Sequence, residues 1–140
     1  MIEINLNRKG GDFGFEAVDS LGHTIQMDTS LESGGANYGI RPMQVLLMGM
    51  GGCSAIDIVM ILKKQRQVIE DFSMKVQGDR VPGAEPSLWQ NVKIIFSLKG
   101  KIDLDKAQRA CELSMNKYCS VAETLRRGGT ILSWEVKVNE

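Results

Sequence analysis

The chain has 140 residues, of which 17 are lysine or arginine and 17 are aspartate or glutamate. This balance gives no net field that would favour nucleic acid or an anionic membrane, so we predict neither as a partner. The length predicts a single domain, residues 1–140, large enough to bury a hydrophobic core without disulfides.

The N-terminus and the cysteines predict the compartment. Residues 1–11 contain no apolar signal core, which argues against secretion. The three cysteines are an odd number, which fits reduced thiols in the cytoplasm better than a disulfide framework. We therefore predict a cytoplasmic protein.

The first forty residues have the pattern of three strands and a loop. Residues 2–6 alternate apolar and polar side chains, and Gly10-Gly11 predicts a turn into a second alternating run over residues 13–17. Residues 24–27 predict a third, short strand, and the Ser, Gly and Asn-rich residues 28–39 predict a loop.

Residues 41–67 predict one long helix of about seven turns, because Pro42 suits a first turn and the segment closes with cations. Its middle, residues 45–62, is apolar almost all round, which predicts burial rather than a one-sided stripe. A run of about 18 apolar residues also reaches the lower limit for a membrane span. Asp57 near its centre would be costly in lipid, so we predict no membrane span.

Inside this helix, Cys53 follows Gly51-Gly52. Each helical glycine costs about 1 kcal/mol relative to alanine, so a close element or a ligand should need the bare backbone. A free cysteine is often inert core packing, and that interpretation stays open. Asp57 lies one turn away on the same face, where its charge would discourage a thiolate. We expect Asp57 to pair with a cation or an amide, and a reactive Cys53 to need a positive neighbour.

The rest of the chain alternates apolar strands with a helical region. His23 is interpreted as a turn residue, because no second histidine or cysteine accompanies it to bind a metal. Asp103 is the predicted N-cap of a helix. The predicted elements are strands at 72–77 and 89–98, a helix at 104–118, a short segment from Cys119 to Gly129 and a strand at 130–138. The order βββ-α-ββ-αα-β predicts the α+β class.

Two segments, PMQVLLMGMGGCSAIDIVMILKKQRQ and LSMNKYCSVAETL, resemble the two cysteine motifs of the OsmC/Ohr family of hydroperoxide reductases, in particular its OsmC branch. The resemblance extends from about residue 22 to the end of the chain. It implies an OsmC-like fold: an intertwined homodimer with long central helices back to back between sheets. It also implies a peroxidatic Cys53 and a resolving Cys119, brought into contact at the dimer interface.

The resemblance implies a thiol peroxidase of the oxidative stress response. The Cys53 thiolate would attack an organic hydroperoxide, and Cys119 would condense with the resulting sulfenic acid. A dithiol, in the family a lipoyl group on a carrier protein, would reopen the disulfide. No metal or organic cofactor is needed. The residues expected to contact the substrate are Gln44, Gly52 and Arg80.

The third cysteine, Cys111, lies eight residues before Cys119. This is about 12 Å along a continuous helix, which is too far for a disulfide. We therefore predict that Cys111 fills the core, and the resemblance implies that Cys53 and Cys119 form the reactive pair.

The sequence departs from the family pattern at one position. Relatives carry a glutamate just after the helix-opening proline, where this chain has Met43 and Gln44. Neither side chain can act as a base, although the Gln44 amide can hydrogen-bond an arginine. The candidates for the cation that activates Cys53 are Arg8, Arg41 and Arg80, the last of which resembles an arginine common in the OsmC branch.

Two other functions stay open beside the peroxidase. The chain could be a noncatalytic relative that binds an apolar small molecule, which the Met43-Gln44 departure favours. It could also be a thiol redox sensor that acts on a partner protein.

Overall fold

The structure, a computed structural model, describes residues 1–140. Its elements follow the predicted order, which confirms the α+β class. Short 3-10 and π-helical turns span Leu31–Ser33 and Ser114–Tyr118. The strands and helices are β1 (Asn5–Gly10), β2 (Gly14–Val18), β3 (Thr24–Met27), α1 (Pro42–Lys64), β4 (Val68–Arg80), β5 (Trp89–Lys101), α2 (Leu104–Leu113), α3 (Ser120–Arg127) and β6 (Ile131–Val138).

The chain divides into two compact units, Met1–Leu46 and Leu47–Glu140. That residues 1–140 form a single domain stays a prediction. The first unit contains an antiparallel sheet in the order β1-β2-β3. A Cβ on Gly10, at the end of β1, would lie 2.2 Å from carbons of the Tyr38 side chain, so only glycine fits at this close approach.

A buried carboxylate fixes the loop that leads to α1. Asp28 is 1% exposed and accepts hydrogen bonds from the backbone N–H groups of Thr29, Ala36 and Tyr38 at 2.7, 2.9 and 3.1 Å. Burial opposes its ionisation, but these three N–H groups together hold the pKa of Asp28 below its ordinary value. The loop is therefore organised around a charged residue.

The second unit contains a sheet in the order β4-β5-β6, with β5 antiparallel to β4 and parallel to β6. Alternate residues of β5 point into the core, because successive strand side chains face opposite sides of a sheet. The buried ones are Val92, Ile94, Phe96 and Leu98. The helix α1 packs on β4 at Gly51, where an added Cβ would lie 3.3 Å from the Met74 sulfur. A close element therefore approaches Gly51, as one of the two predicted alternatives stated, whereas Gly52 has open space beside it.

The helix α1 is buried on one face only. Met50, Ile58 and Leu62 are 0% exposed, whereas Met48, Ile56 and Met60 are 51%, 63% and 54% exposed. The prediction of burial all round is therefore wrong for the single chain. By length and composition α1 could cross a membrane, and 33% of its most apolar window is buried. This is weak evidence for a span, because core helices of soluble proteins have the same length and composition.

The second helical region differs from its prediction. The N-cap is confirmed, since the Asp103 side chain accepts from the N–H of Asp105. The extent of the helix predicted over 104–118 is confirmed, but its last five residues, Ser114–Tyr118, form a π-helical turn that follows directly on α2. Cys119 then adopts an extended conformation before α3.

Candidate thiol site

Two sulfurs and a carboxylate meet in the second unit. The Sγ atoms of Cys53 and Cys119 and a carboxylate oxygen of Asp57 all lie within 4.8 Å of one another. Cys53 and Asp57 are one turn apart on α1, and Cys119 is the N-cap of α3. We call these three residues the thiol cluster. Cys119 is buried, whereas Cys53 and Asp57 are half-buried.

The π-helical turn positions Cys119. The Cys119 N–H donates to the Ser114 carbonyl at 2.8 Å, which closes the turn. The Cys119 sulfur accepts from the Ala122 N–H at 3.3 Å, as an N-cap side chain does, and lies 3.9 Å from the Met50 carbonyl oxygen on α1. Cys119 is therefore held at both its backbone and its side chain.

Burial is the largest influence on the protonation of Cys119. It raises the pKa of this thiol to about 11, with a further increase from the adjacent Cys53, against a decrease from the Ala122 N–H. No cation is among the groups that shift this pKa. At neutral pH Cys119 therefore keeps its proton and can donate it toward the Cys53 sulfur.

Asp57 has a different partner from the one predicted. Its Oδ2 atom accepts a hydrogen bond of 2.9 Å from the Ser114 hydroxyl, which also lies 3.3 Å from the Ser54 carbonyl oxygen. The expected cation or amide partner is therefore wrong. The π-helical turn brings Ser114 against α1, a contact between residues 57 positions apart in the sequence. The sequence signal for Ser114 is limited to its place on the apolar face of the predicted helix.

Cys111 lies outside the thiol cluster. It is 0% exposed in α2, and burial raises the pKa of its thiol to about 12. It forms no disulfide. The prediction that Cys111 fills the core is confirmed.

The residues predicted to contact substrate have different surroundings. Gly52 is exposed beside Cys53, and an added Cβ would meet no atom within 4 Å. Gln44 is exposed in the first turn of α1. Arg80 donates two hydrogen bonds to the Ser87 carbonyl, at 2.9 and 3.1 Å, and its guanidinium lies 5.8 Å from the Trp89 ring centroid. Arg80, the last residue of β4, is thus held against the connection between β4 and β5.

The other two candidate cations belong to the first unit. Arg41 donates to the Gly39 carbonyl at 3.0 Å and contributes to the lowered pKa of Asp28. Arg8 pairs with Phe15 across β1 and β2. The Arg41 side chain thus has a structural contact in its own unit, and the predicted role of either arginine as the activating cation stays a prediction.

A groove of about 370 Å³ begins at Asp57. Its walls come from α1, the end of α2 and the π-helical turn, and include the apolar side chains of Met60, Ile61, Leu113 and Tyr118 and the charged Lys64. The Gln65 Oε1 atom is buried without a hydrogen-bond partner in the structure, and Gln65 also lines the groove. The thiol cluster therefore has a mainly apolar depression beside it.

Comparisons with known proteins agree on one family. The OsmC-like protein family matches residues 34–135. The protein YhfA of Escherichia coli strain K12 is 40% identical over 124 residues, which cover 87% of this chain and 89% of YhfA. The crystal structure of a hypothetical protein from Aquifex aeolicus VF5 has a TM-score of 0.82 and 30% identity, covering 100% of this chain and 98% of that one. An organic hydroperoxide resistance protein from Elizabethkingia anophelis shares the fold, with a TM-score of 0.74 at 15% identity and coverage of 99% and 96%.

Proposed function

We propose that this chain, which belongs to the OsmC-like family, is a thiol peroxidase that reduces organic hydroperoxides. Cys53 is the peroxidatic residue and Cys119 the resolving residue. The observation that carries this proposal is the distance between their sulfurs, which is within 4.8 Å inside one chain. A disulfide needs about 2.05 Å, so a small side-chain movement joins them.

The first step oxidises Cys53. Its thiolate attacks the terminal oxygen of the hydroperoxide, an S–O bond forms and the O–O bond breaks. The alkoxide that leaves takes a proton and departs as an alcohol, and Cys53 becomes a sulfenic acid. Cys53 suits this step better than Cys119, because it is half-buried beside the exposed Gly52, whereas Cys119 is 3% exposed.

The second step uses Cys119. Its sulfur attacks the sulfenic sulfur of Cys53, a disulfide forms, and the hydroxyl leaves with the Cys119 proton as water. The raised pKa of Cys119 keeps this proton in place until that step. An external dithiol then reduces the disulfide by thiol exchange and is itself oxidised to a disulfide. A lipoyl group on a carrier protein is the expected dithiol.

The groove beside Asp57 supports an organic substrate. Its apolar walls would favour the hydrocarbon part of a hydroperoxide over water. Gln44, Gly52 and Arg80 remain the residues proposed to contact substrate, with Gly52 best supported because the space beside it is open.

We also propose a cytoplasmic homodimer in which two α1 helices pack against each other. The exposed Met48, Ile56 and Met60 support this arrangement, because an apolar helix face of this kind is stabilised by leaving water. Sedimentation velocity should give the mass of two chains, and a concentration-independent monomer would contradict it.

A second candidate is a noncatalytic protein that binds an apolar small molecule. Met43 and Gln44 favour it, because the family glutamate is absent there. The groove of about 370 Å³ would be the binding site. A third is a redox sensor, which would form the same disulfide once without turnover.

Steady-state assays with cumene hydroperoxide and dihydrolipoamide separate these functions. The wild-type chain should consume peroxide continuously, and Cys53→Ser should abolish turnover because the attacking sulfur is lost. The matched control is Cys111→Ser, which removes a thiol outside the cluster and should retain turnover within about twofold, as a change away from the reacting atoms does. A single oxidation per chain would indicate the sensor. No oxidation, with an apolar molecule that copurifies, would indicate the binding protein.

A further inference from the structure

The thiol cluster also has the donor set of a metal site. We infer that, in the reduced protein, it binds a thiophilic divalent cation such as Zn²⁺. The ligands are the sulfurs of Cys53 and Cys119 and one carboxylate oxygen of Asp57. This inference shares its two sulfurs with the proposed peroxidase, but metal binding requires no turnover.

The spacing of the three atoms suits a tetrahedral ion. Bonds of about 2.3 Å from zinc to sulfur place two sulfur ligands roughly 3.7 Å apart. In the structure the three donor atoms already lie within 4.8 Å of one another. If side-chain rotation shortens the distances between these donor atoms by about 1 Å, all three can bond to one ion. Two ligands come from adjacent turns of α1 and the third from the start of α3, so the backbone holds them from two sides.

The types of donor select the class of metal. Two thiolates are soft ligands that favour zinc and similar ions over Mg²⁺ and Ca²⁺, which require mostly oxygen ligands. The carboxylate of Asp57 completes a three-ligand set of the kind that leaves a fourth position for water. Cys53 and Asp57 are half-buried rather than enclosed, so an ion can reach these two ligands from solvent.

Hydrogen bonds around the cluster hold the ligands in position. The Ser114 hydroxyl donates to Oδ2 of Asp57, which leaves Oδ1 for the metal. The Ala122 N–H donates to the Cys119 sulfur, a contact that stabilises a thiolate at the N-terminus of α3. Such outer hydrogen bonds orient metal ligands and raise affinity. They are present here before any ion binds.

Metal binding and disulfide formation exclude each other. Binding converts two thiols, the Asp57 carboxylate and Zn²⁺ into a complex with a net charge of −1 and releases two protons to water. Oxidation of that complex by a hydroperoxide and two protons gives the disulfide, an alcohol, water and free Zn²⁺. The two thiolates supply the two electrons that reduce the O–O bond. The oxidised chain should therefore release the ion.

Cobalt provides the test, because Co²⁺ bound to thiolates absorbs by charge transfer and reports tetrahedral geometry in the visible. The reduced wild-type chain, titrated with CoCl₂ without oxygen or peroxide, should bind one Co²⁺ per chain and lose the bands when ZnCl₂ is added. Cys53→Ser should remove about half of the charge-transfer intensity. Asp57→Asn should weaken binding at least about tenfold. Cys111→Ser is the matched control and should leave the spectrum unchanged.

The outcomes keep the two proposals separate. Cobalt bands without peroxide turnover would support the metal site and contradict the peroxidase, and turnover without bands would do the reverse. A wild-type titration equal to that of Cys53→Ser/Cys119→Ser overturns the site. Full affinity in Asp57→Asn overturns the carboxylate ligand, and loss of binding in Cys111→Ser places the ion elsewhere. Serine is a preferred N-cap, so the Cys119→Ser chain should fold, which circular dichroism verifies.

Discussion

Cys111 and Cys119 lie eight residues apart, and both are buried thiols with a raised pKa. Their surroundings nevertheless differ. Cys111 lies in the regular helix α2, where burial is the only influence on its pKa. Cys119 follows the π-helical turn, caps α3 and has a second thiol within 4.8 Å. Burial alone therefore does not distinguish the proposed resolving cysteine from the core cysteine, whereas the neighbouring sulfur does.

The largest expected difference between the two cysteines is in disulfide formation. One equivalent of cumene hydroperoxide should join Cys53 to Cys119 and leave Cys111 reduced, because Cys53 and Cys119 are the cysteines with sulfurs in the cluster. Nonreducing peptide mapping by mass spectrometry measures this. Cys119→Ser should lose the intramolecular disulfide completely and Cys111→Ser should retain it. A disulfide that includes Cys111 would remove the basis of the comparison.

The second difference concerns stability. Cys111→Ser should lower the free energy of unfolding by about 1–3 kcal/mol, because it buries a hydroxyl among apolar neighbours. Cys119→Ser should change it by less than about 0.5 kcal/mol, since serine is a preferred N-cap and can accept from the Ala122 N–H. Urea denaturation of the reduced chains measures both values.

An alanine variant at Cys119 serves as the control for the serine variant at the same position. Cys119→Ala should cost about 1 kcal/mol, because it removes the N-cap acceptor. If Cys111→Ser and Cys119→Ser lower the free energy of unfolding by the same amount, burial rather than capping dominates at Cys119.

The smallest difference is in the dependence of stability on pH. The folded Cys111 thiol has its pKa raised from 9.0 to about 12, so it keeps its proton when the unfolded chain loses it. The contribution of this protonated thiol to the free energy of unfolding is fully present below pH 9. It decreases as the pH rises toward the pKa of the folded state. For Cys111 this amounts to about 1 kcal/mol between roughly pH 9 and pH 10.

Urea denaturation of wild type and Cys111→Ala over this pH range measures the effect as a difference in slope. The variant should show the shallower loss of stability, because its unfolded chain has one thiol fewer to ionise. For Cys119 the loss of stability with rising pH should level off at a lower pH than for Cys111, because the pKa of the folded Cys119 thiol is about 11. Identical slopes for wild type and Cys111→Ala would show that burial does not hold the Cys111 proton.

Much of the architecture was predictable from local patterns. The alternation in β3 and β5, the cap at Asp103 and the apolar run of α1 each record a local preference, and the structure confirms these elements. Two predictions failed for nonlocal reasons. The burial of α1 all round fails in the single chain, where Met48, Ile56 and Met60 are exposed. Asp57 has a hydroxyl partner from the π-helical turn rather than a cation or an amide.

The sequence by itself determined the order of the elements, the α+β class and the two cysteine motifs that resemble the OsmC/Ohr family, because periodicity, caps and motifs are properties of neighbouring residues. Only the tertiary structure decided that Cys53, Asp57 and Cys119 share one cluster while Cys111 lies outside it. Distances between sulfurs on separate helices depend on how those helices pack. The π-helical turn that brings Ser114 to Asp57 has no signature in a short stretch of sequence, whereas Gly51-Gly52 already indicated a close approach at α1.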